Sequence, residues 1–359
     1  MFDKISGNES AKKLLRRILE SRRVPGALLF AGEEGVGKKL FALELAKALN
    51  CRTPQGTEAC GECPSCVRIS KINFPTSVEP EELRKIFWTD HPDVGLVQPP
   101  GRVFHVAQKR AIEREANFRP FEGAARVFIV DDADQLNDAS ANALLKVLEE
   151  PPPTSHLVLI TSRPAMLLPT ILSRCQAIRF SPLTSADIER HLLDNKLAPA
   201  GDARLLARCA AGSMGRALSG DVESYKERRD AMFAVLKALV LTGDRRALLR
   251  ASEGLNEARN RDDYESNLEL LETLIRDALL ISVEADAEQV VNEDLFPQLK
   301  EVARGMNSHS AASWIDQIEE LREQLVVNIN RKPATDALLL TMAAFSASEL
   351  PPKRRFLIK

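Results

Sequence analysis

Aromatic side chains are scarce. They make up 5% of the 359 residues, with two tryptophans and two tyrosines. So few rings argue against a platform on which nucleic-acid bases stack. An excess of positive charge is missing as well. Lys and Arg total 49 against 51 Asp and Glu, a net charge of −2. That removes any global attraction to DNA and leaves only a local basic face open. No apolar run approaches the length of a membrane span. The N-terminal Met1-Phe2-Asp3-Lys4 lacks the apolar core of a signal peptide. The expectation is a cytoplasmic chain with no membrane partner, in a compartment where disulfides do not persist. Its six cysteines then need another explanation. What is present, 44% hydrophobic and 28% charged residues, suits two or three ordinary globular domains.

The chain is organised around Gly32-Glu33-Glu34-Gly35-Val36-Gly37-Lys38-Lys39. The apolar run Ala27-Leu28-Leu29-Phe30-Ala31 precedes it, and a helical pattern through Leu40, Leu43, Ala46 and Leu49 follows. Strand, glycine-rich turn and helix form the context of a phosphate-binding loop. Backbone N–H groups curl around an anion, the helix adds its positive end, and Lys38 supplies a point charge. The last position departs from a working ATPase. The pattern ends in Lys-Ser or Lys-Thr because that hydroxyl ligates Mg²⁺. Lys39 stands there instead, and an ammonium repels a metal.

Further along, Val127-Phe128-Ile129-Val130 reads as a strand buried on both faces. It delivers Asp131-Asp132 to the edge where open parallel sheets bind ligands. Asp131 suits the Walker B aspartate near Mg²⁺. Asp132 replaces the glutamate that usually positions water, one methylene short. His156 to Thr161 is another such strand, ending in polar Thr161 at the same edge. Asp93 to Val97 and Ile178 to Phe180 read as further strands. Val106 to Asn117 and Ala139 to Glu150 read as helices, with a turn at Pro99-Pro100-Gly101. Residues 71–90, rich in proline and glutamate, suggest an insertion or surface loop. Leu14, Leu15, Ile18 and Leu19 mark the apolar face of an N-terminal helix. Its Lys12, Lys13, Arg16 and Arg17 read as a solvated face.

Cys51, Cys60, Cys63 and Cys66 form a compact set, with two overlapping Cys-x2-Cys spacings. Four thiolates at such spacing can converge on one tetrahedral zinc, with Gly61 and Pro64 suiting tight turns; redox chemistry and idle thiols are the competing readings. A closed four-sulfur site is structural rather than catalytic. Cys175 and Cys209 stand alone and read as buried small hydrophobes. His91, His105, His156, His191 and His309 show no ligand spacing. After Pro182 the pattern becomes helical. Gly212 to Leu218 interrupts it, and from Tyr225 onward long amphipathic helices follow. Leu268, Leu271, Leu274, Ile275 and Ala278 form one apolar stripe, and Trp314, Ile318, Leu321 and Leu325 another. Lys353-Arg354-Arg355 is too short a basic run to read as a DNA-binding tail.

Together, GEEGVGKK, the four-cysteine module, VFIVDDADQLNDASANALLKVLEEPPP and ITSRPAMLLPTILSRCQ resemble the AAA+ clamp-loader subunits of bacterial DNA polymerase III. The resemblance covers the first two hundred or so residues. It implies an α/β fold: an AAA+ P-loop domain with a parallel sheet and inserted zinc module (1–181, zinc module at 51–66), a small helical lid (182–222) and an all-α collar for oligomerisation (223–359). Arg174, in Ser-Arg-Cys, falls at the arginine finger presented to a neighbour's ATP site. Thr161 falls at sensor 1. Gly212 to Leu218 falls at the sensor-2 helix, where Gly215 takes the usual arginine position and the arginine is displaced to Arg216. The nucleotide loop would comprise Gly32, Gly35, Val36, Gly37, Lys38 and Lys39, facing Asp131, Asp132, Thr161 and Arg216. Lys39, Asp132 and the shifted arginine are three departures from hydrolysis. They look like the delta-prime branch of the family, a stator with little or no ATPase of its own. Such a subunit helps load the sliding clamp onto primed DNA. The implied cofactor is structural Zn²⁺, with ATP or ADP binding left open. The implied partners are the gamma/tau and delta subunits, and the clamp and primer-template DNA through the assembled complex. An ATP-hydrolysing gamma/tau motor is the alternative, and an unrelated P-loop kinase with a zinc-stabilised lid is a third reading.

Overall fold

A strand made wholly of apolar residues can leave neither face in water, and the sheet of this protein is built on such strands. The computed structural model describes residues 2–72, 86–99, 106–136, 138–256, 261–325 and 330–346. The chain divides into two units, Met1–Ser219 and Gly220–Lys359. The first begins with α1 (Glu9–Glu20), β1 (Ala27–Ala31), α2 (Lys38–Asn50), α3 (Pro64–Ser70), β2 (Phe87–Trp88) and β3 (Val94–Val97). It continues with α4 (Val106–Ala116), β4 (Arg126–Val130), α5 (Asp138–Glu149), β5 (Ser155–Thr161), α6 (Pro169–Leu172) and β6 (Gln176–Arg179). Among the described residues the strands form a six-stranded sheet in the order β2-β3-β4-β5-β1-β6. All pairings are parallel except that of β2 with β3.

Strand alternation decides the layers. Leu28 and Phe30 of β1, Val127 and Ile129 of β4, and Val158 and Ile160 of β5 face one side. There they pack with Leu15 and Ile18 of α1 and Phe41 and Leu45 of α2. The intervening Leu29, Phe128, Val130, Leu157 and Leu159 face the other side, against Ile112 of α4, Leu144 and Leu148 of α5 and Ile171 of α6. Each such side chain, taken fully out of water, contributes about 1.5–3 kcal/mol. The central strands are therefore rigid supports for whatever their C-terminal ends carry.

Several expectations are corrected here. Lys12 is buried, its ammonium 2.7 Å from Glu9. Arg16 is half-buried and pairs with both Asp3 and Glu58, so half of the supposed solvated face is engaged. Pro64 opens α3 at its first turn rather than closing a tight turn, because a proline lacks the N–H that this position would leave unbonded anyway. Cys175 and Cys209 are half-buried rather than buried. The short antiparallel β2 was not foreseen; two residues carry no periodic signal. Of the 71–90 segment, 73–85 lies outside the described residues, and so do Pro100 and Gly101 of the expected turn and Lys353-Arg354-Arg355.

The first unit ends in α7 (Ser185–Asp194), α8 (Ala200–Cys209) and α9 (Met214–Ser219). These share a small core of their own, formed by Leu183, Ile188, Leu192, Ala203, Ala207, Ala210 and Ala217. Thr184 caps α7 by accepting from the Asp187 N–H. The second unit is helical: α10 (Val222–Lys237), α11 (Arg245–Asn256), α12 (Arg261–Ser282), α13 (Phe296–Gly305), α14 (Ser308–Leu325) and α15 (Arg331–Ser346). Both apolar stripes read from the sequence lie in its core. Among the described residues no helix is long and apolar enough to cross a membrane.

Candidate functional site

The C-terminal ends of the neighbouring strands β1, β4 and β5 carry, in turn, the candidate nucleotide loop, Asp131-Asp132 and Thr161. The Gly32 N–H donates to the Thr161 carbonyl at 3.2 Å, tying the loop's start to β5. At Gly35 the backbone is left-handed, with φ +75°. A Cβ there would lie 2.0 Å from Ser213 Oγ and 3.2 Å from the Gly215 nitrogen. Only glycine admits this approach. Through it the Gly215 N–H donates to the Gly35 carbonyl at 3.0 Å. The start of α9, where the sensor-2 stretch was expected, is thus joined backbone to backbone to the loop. Arg216 lies one residue on, exposed, its N–H donating to Ser213 Oγ.

The loop's two lysines are both engaged within the protein. Lys38 is buried, and its ammonium donates to the Gly32 carbonyl at 2.6 Å and the Glu33 carbonyl at 2.5 Å. Burial pulls its pKa down from the usual lysine range, and the nearby Asp131 carboxylate opposes this. Lys39 places its ammonium 2.6 Å from Asp131 Oδ2. A carboxylate suited to a divalent metal therefore holds a cation from its own chain. Asp132 sits in left-handed backbone at φ 47°. Burial first, and then the carboxylates of Asp131, Asp134 and Glu34, raise its pKa. Thr161 is buried and donates to Asp134 Oδ1 at 2.7 Å. Arg163 holds the other Asp134 oxygen, its Nη2 at 2.6 Å. The sequence reading missed Asp134 and Glu34. Their signal was the acidic repeat Asp131-Asp132-x-Asp134 beside a loop that itself carries Glu33 and Glu34.

Arg174 follows α6 and is exposed. Its Nη1 donates to the Thr170 carbonyl at 2.9 Å, and its Nη2 lies 2.6 Å from Glu149 Oε1.

The four cysteines converge, their sulfurs all within 4.8 Å of one another. Cys51 Sγ is 3.6 Å from Cys60 Sγ and 3.9 Å from Cys63 Sγ. A tetrahedral zinc with Zn–S near 2.3 Å sets sulfurs about 3.8 Å apart. Backbone N–H groups of Cys60 and Cys63 donate to the sulfurs of Cys51 and Cys60. The Thr53 hydroxyl donates to Cys60 Sγ, the first cause of a Cys60 pKa pulled down to about 6. Donors aimed at sulfur favour the thiolate, which is the metal-binding form. This set fits a metal ion such as zinc, held by Cys51, Cys60, Cys63 and Cys66. Between the cysteines, Glu58 accepts from the Phe2 N–H and pairs with Arg16 at 2.6 Å, fastening the module to the N-terminal helix.

Residues 7–184 match the family described as DNA polymerase III, delta subunit, and residues 224–343 match its C-terminal counterpart. The DNA polymerase III subunit delta' of Bacillus subtilis is 30% identical over 330 residues, 92% of this chain and 94% of that protein. The chain belongs to the clamp-loader subunits of DNA polymerase III. The delta' subunit of Escherichia coli is 31% identical over 317 residues, 88% of this chain and 87% of that one. Subunit tau of Escherichia coli is 33% identical over 224 residues, 61% of this chain but 32% of tau. Among these relatives the likeness to delta' runs nearly end to end, and the likeness to tau covers a shorter part of each protein. Both the loop and the four-cysteine module lie inside the first matched segment.

Proposed function

We propose that this chain is a delta-prime-like stator of the clamp loader. It helps place the sliding clamp on primed DNA, it completes a neighbouring subunit's ATP site with Arg174, and it runs no ATPase cycle of its own. The observation that carries this reading is the 2.6 Å pair between Lys39 and Asp131. Hydrolysis needs Mg²⁺ on the loop hydroxyl and on the Walker B carboxylate. Lys39 removes the first and neutralises the second. Asp132 is short for positioning water, and its raised pKa makes it a weaker partner for a cation. Each such catalytic group is commonly worth about 3 kcal/mol of barrier, so their joint loss amounts to several.

Arg174 is the group that remains useful. A guanidinium can stabilise charge on a transferring phosphoryl group from across an interface, and this one is solvent-facing. The partners of this reading are the gamma/tau and delta subunits, with the clamp and primer-template DNA reached through the assembled complex. Zinc on the four cysteines has a structural role, α7–α9 act as the lid, and the second unit acts as the oligomerising collar. A chain with this role works in the cytoplasm. Nucleotide, where it binds at all, binds weakly and without regard to Mg²⁺.

Two measurements test this. The purified chain alone should show no ATP turnover, and any nucleotide binding should be indifferent to Mg²⁺. In the reconstituted loader, Arg174→Ala should slow DNA-stimulated hydrolysis severalfold or more, toward the 10³–10⁵ that a finger is worth at a single site. Robust Mg²⁺-dependent turnover by the chain alone, abolished by Lys38→Ala, would replace the stator with a gamma/tau-like motor.

A further inference from the structure

Arg174 does not stand free at the surface. Its Nη2 lies 2.6 Å from Glu149 Oε1, and its Nη1 donates to the Thr170 carbonyl at 2.9 Å and to Ser173 Oγ at 3.3 Å. We infer that Glu149 is a positioning residue for Arg174: its carboxylate and the Thr170 carbonyl together hold the guanidinium in the presentation a neighbour's phosphates require. This inference rests on the reading of Arg174 as a finger in trans.

Both ends of the contact are rigidly mounted. Glu149 is the last residue of α5, and the turn before it is anchored by Leu148, which is 4% exposed. Pro151-Pro152-Pro153 follows and prevents the helix from running on. Arg174 sits just beyond α6, anchored by the fully buried Ile171. Its own N–H donates to the Ile171 carbonyl, and that of Ser173 to the Pro169 carbonyl. Leu148 and Ile171 belong to one core. The ion pair therefore spans two fixed helix ends rather than two mobile loops. A long side chain held in this way gives up its rotamer freedom before the phosphate arrives, which is the advantage of preorganisation.

Stability does not account for the contact. The Glu149 side chain is 48% exposed and that of Arg174 33%, and pairs so open to water add little to folding. Moreover, a carboxylate on the last residue of a helix sits at the negative end of the helix dipole, where it is disfavoured. The geometry also leaves room for a phosphate. A guanidinium has five N–H donors, and three contacts leave at least two. The Glu149 carboxylate lies 2.6 Å from one terminal nitrogen, Nη2.

The test is steady-state ATP hydrolysis by the reconstituted loader, with clamp and primed DNA present, for Glu149→Gln, Glu149→Asp, Arg174→Ala and the double variant Glu149→Gln/Arg174→Ala. Glu149→Gln should lower kcat about three- to fivefold, the weight of one partly exposed ion pair, and leave KM for ATP unchanged. Glu149→Asp, which keeps the carboxylate, should recover most of the loss. The double variant should be no slower than Arg174→Ala. An unchanged kcat in Glu149→Gln, with Arg174→Ala still slow, would overturn the positioning role and leave the finger standing. A faster Glu149→Gln would mean that the contact restrains the finger, and would equally overturn the inference. An added loss in the double variant would show that Glu149 acts by another route. Arg174→Ala at the wild-type rate would remove the finger itself, a failure separable from the others because it appears in that arm alone.

Discussion

The cysteine cluster and the phosphate loop lie in the same unit, and they treat a cation in opposite ways. At the cluster, four sulfurs lie within 4.8 Å of one another, and N–H and O–H donors point at those of Cys51 and Cys60. Everything there is arranged around a charge that the chain does not supply. At the loop, Lys39 answers Asp131 and Lys38 answers two loop carbonyls. The chain supplies the charge itself. On the function proposed above, a ligand motif keeps its role when its groups converge on a missing ion, and loses it when they satisfy one another. Spacing alone does not separate the two cases, because both motifs are nearly complete as strings.

The widest way to test this contrast is to make the cluster fail. Cys63→Ser removes one of four thiolates, and a structural zinc site contributes to folding directly. The expected result is loss of bound zinc by elemental analysis, together with at least about 3 kcal/mol of stability, among the larger single-site effects. Zinc retained at one equivalent would show that the cluster is not a closed four-sulfur site. The next step is to make the loop converge again. Lys39→Thr restores the hydroxyl and frees Asp131. Mg²⁺-dependent ATP affinity, measured by calorimetry, should rise about tenfold or more, some 1.4 kcal/mol. The lost ion pair is partly exposed, so apo stability should fall by less than about 1 kcal/mol. Unchanged affinity would move the block from Lys39 to the Lys38 tether or the Gly215–Gly35 bond.

How much of this could be read from the chain depends on how far away each partner lies. The central strands were legible because runs such as Val127 to Val130 must bury both faces. The cysteine set was legible because its ligands are local and their spacing is itself the geometry. At the loop only half the story was visible. Lys39 announced the missing hydroxyl, but its ion pair needed the fold, since Asp131 arrives from the end of β4. The same holds for Glu58 with Arg16, for Ser213 against Gly35, and for Thr161 turned toward Asp134. Lys12 misled for a related reason. A lysine on a polar stripe reads as solvated, yet its stem can be buried with the ammonium held locally by Glu9.

The finest test lies in the acidic group beside Lys39. Asp132 is held with its pKa raised, by burial first and then by Asp131, Asp134 and Glu34, while Lys39 opposes the shift. A carboxyl that keeps its proton more tightly when folded works against the fold once it ionises. The sign follows from linkage: between the ordinary carboxylate range and the raised value, the folded chain binds more protons than the unfolded one, so stability falls as pH rises. Asp132→Asn removes that penalty. The gain should be greatest at neutral pH and should shrink as acid protonates the wild-type group. The site is half-buried, so screening keeps the effect well under 1 kcal/mol, or one to two degrees in Tm. Asparagine also tolerates the left-handed backbone at φ 47°, a benefit that pH does not alter. Repeating the substitution in the Lys39→Thr background sharpens the contrast between the two sites. Without the Lys39 ammonium the carboxylates are less fully offset, Lys38 and Arg163 remaining, and the gain from Asp132→Asn should grow. An equal gain in both backgrounds would mean that Lys39 serves Asp131 alone, and that the self-neutralising character of the loop is confined to that one pair.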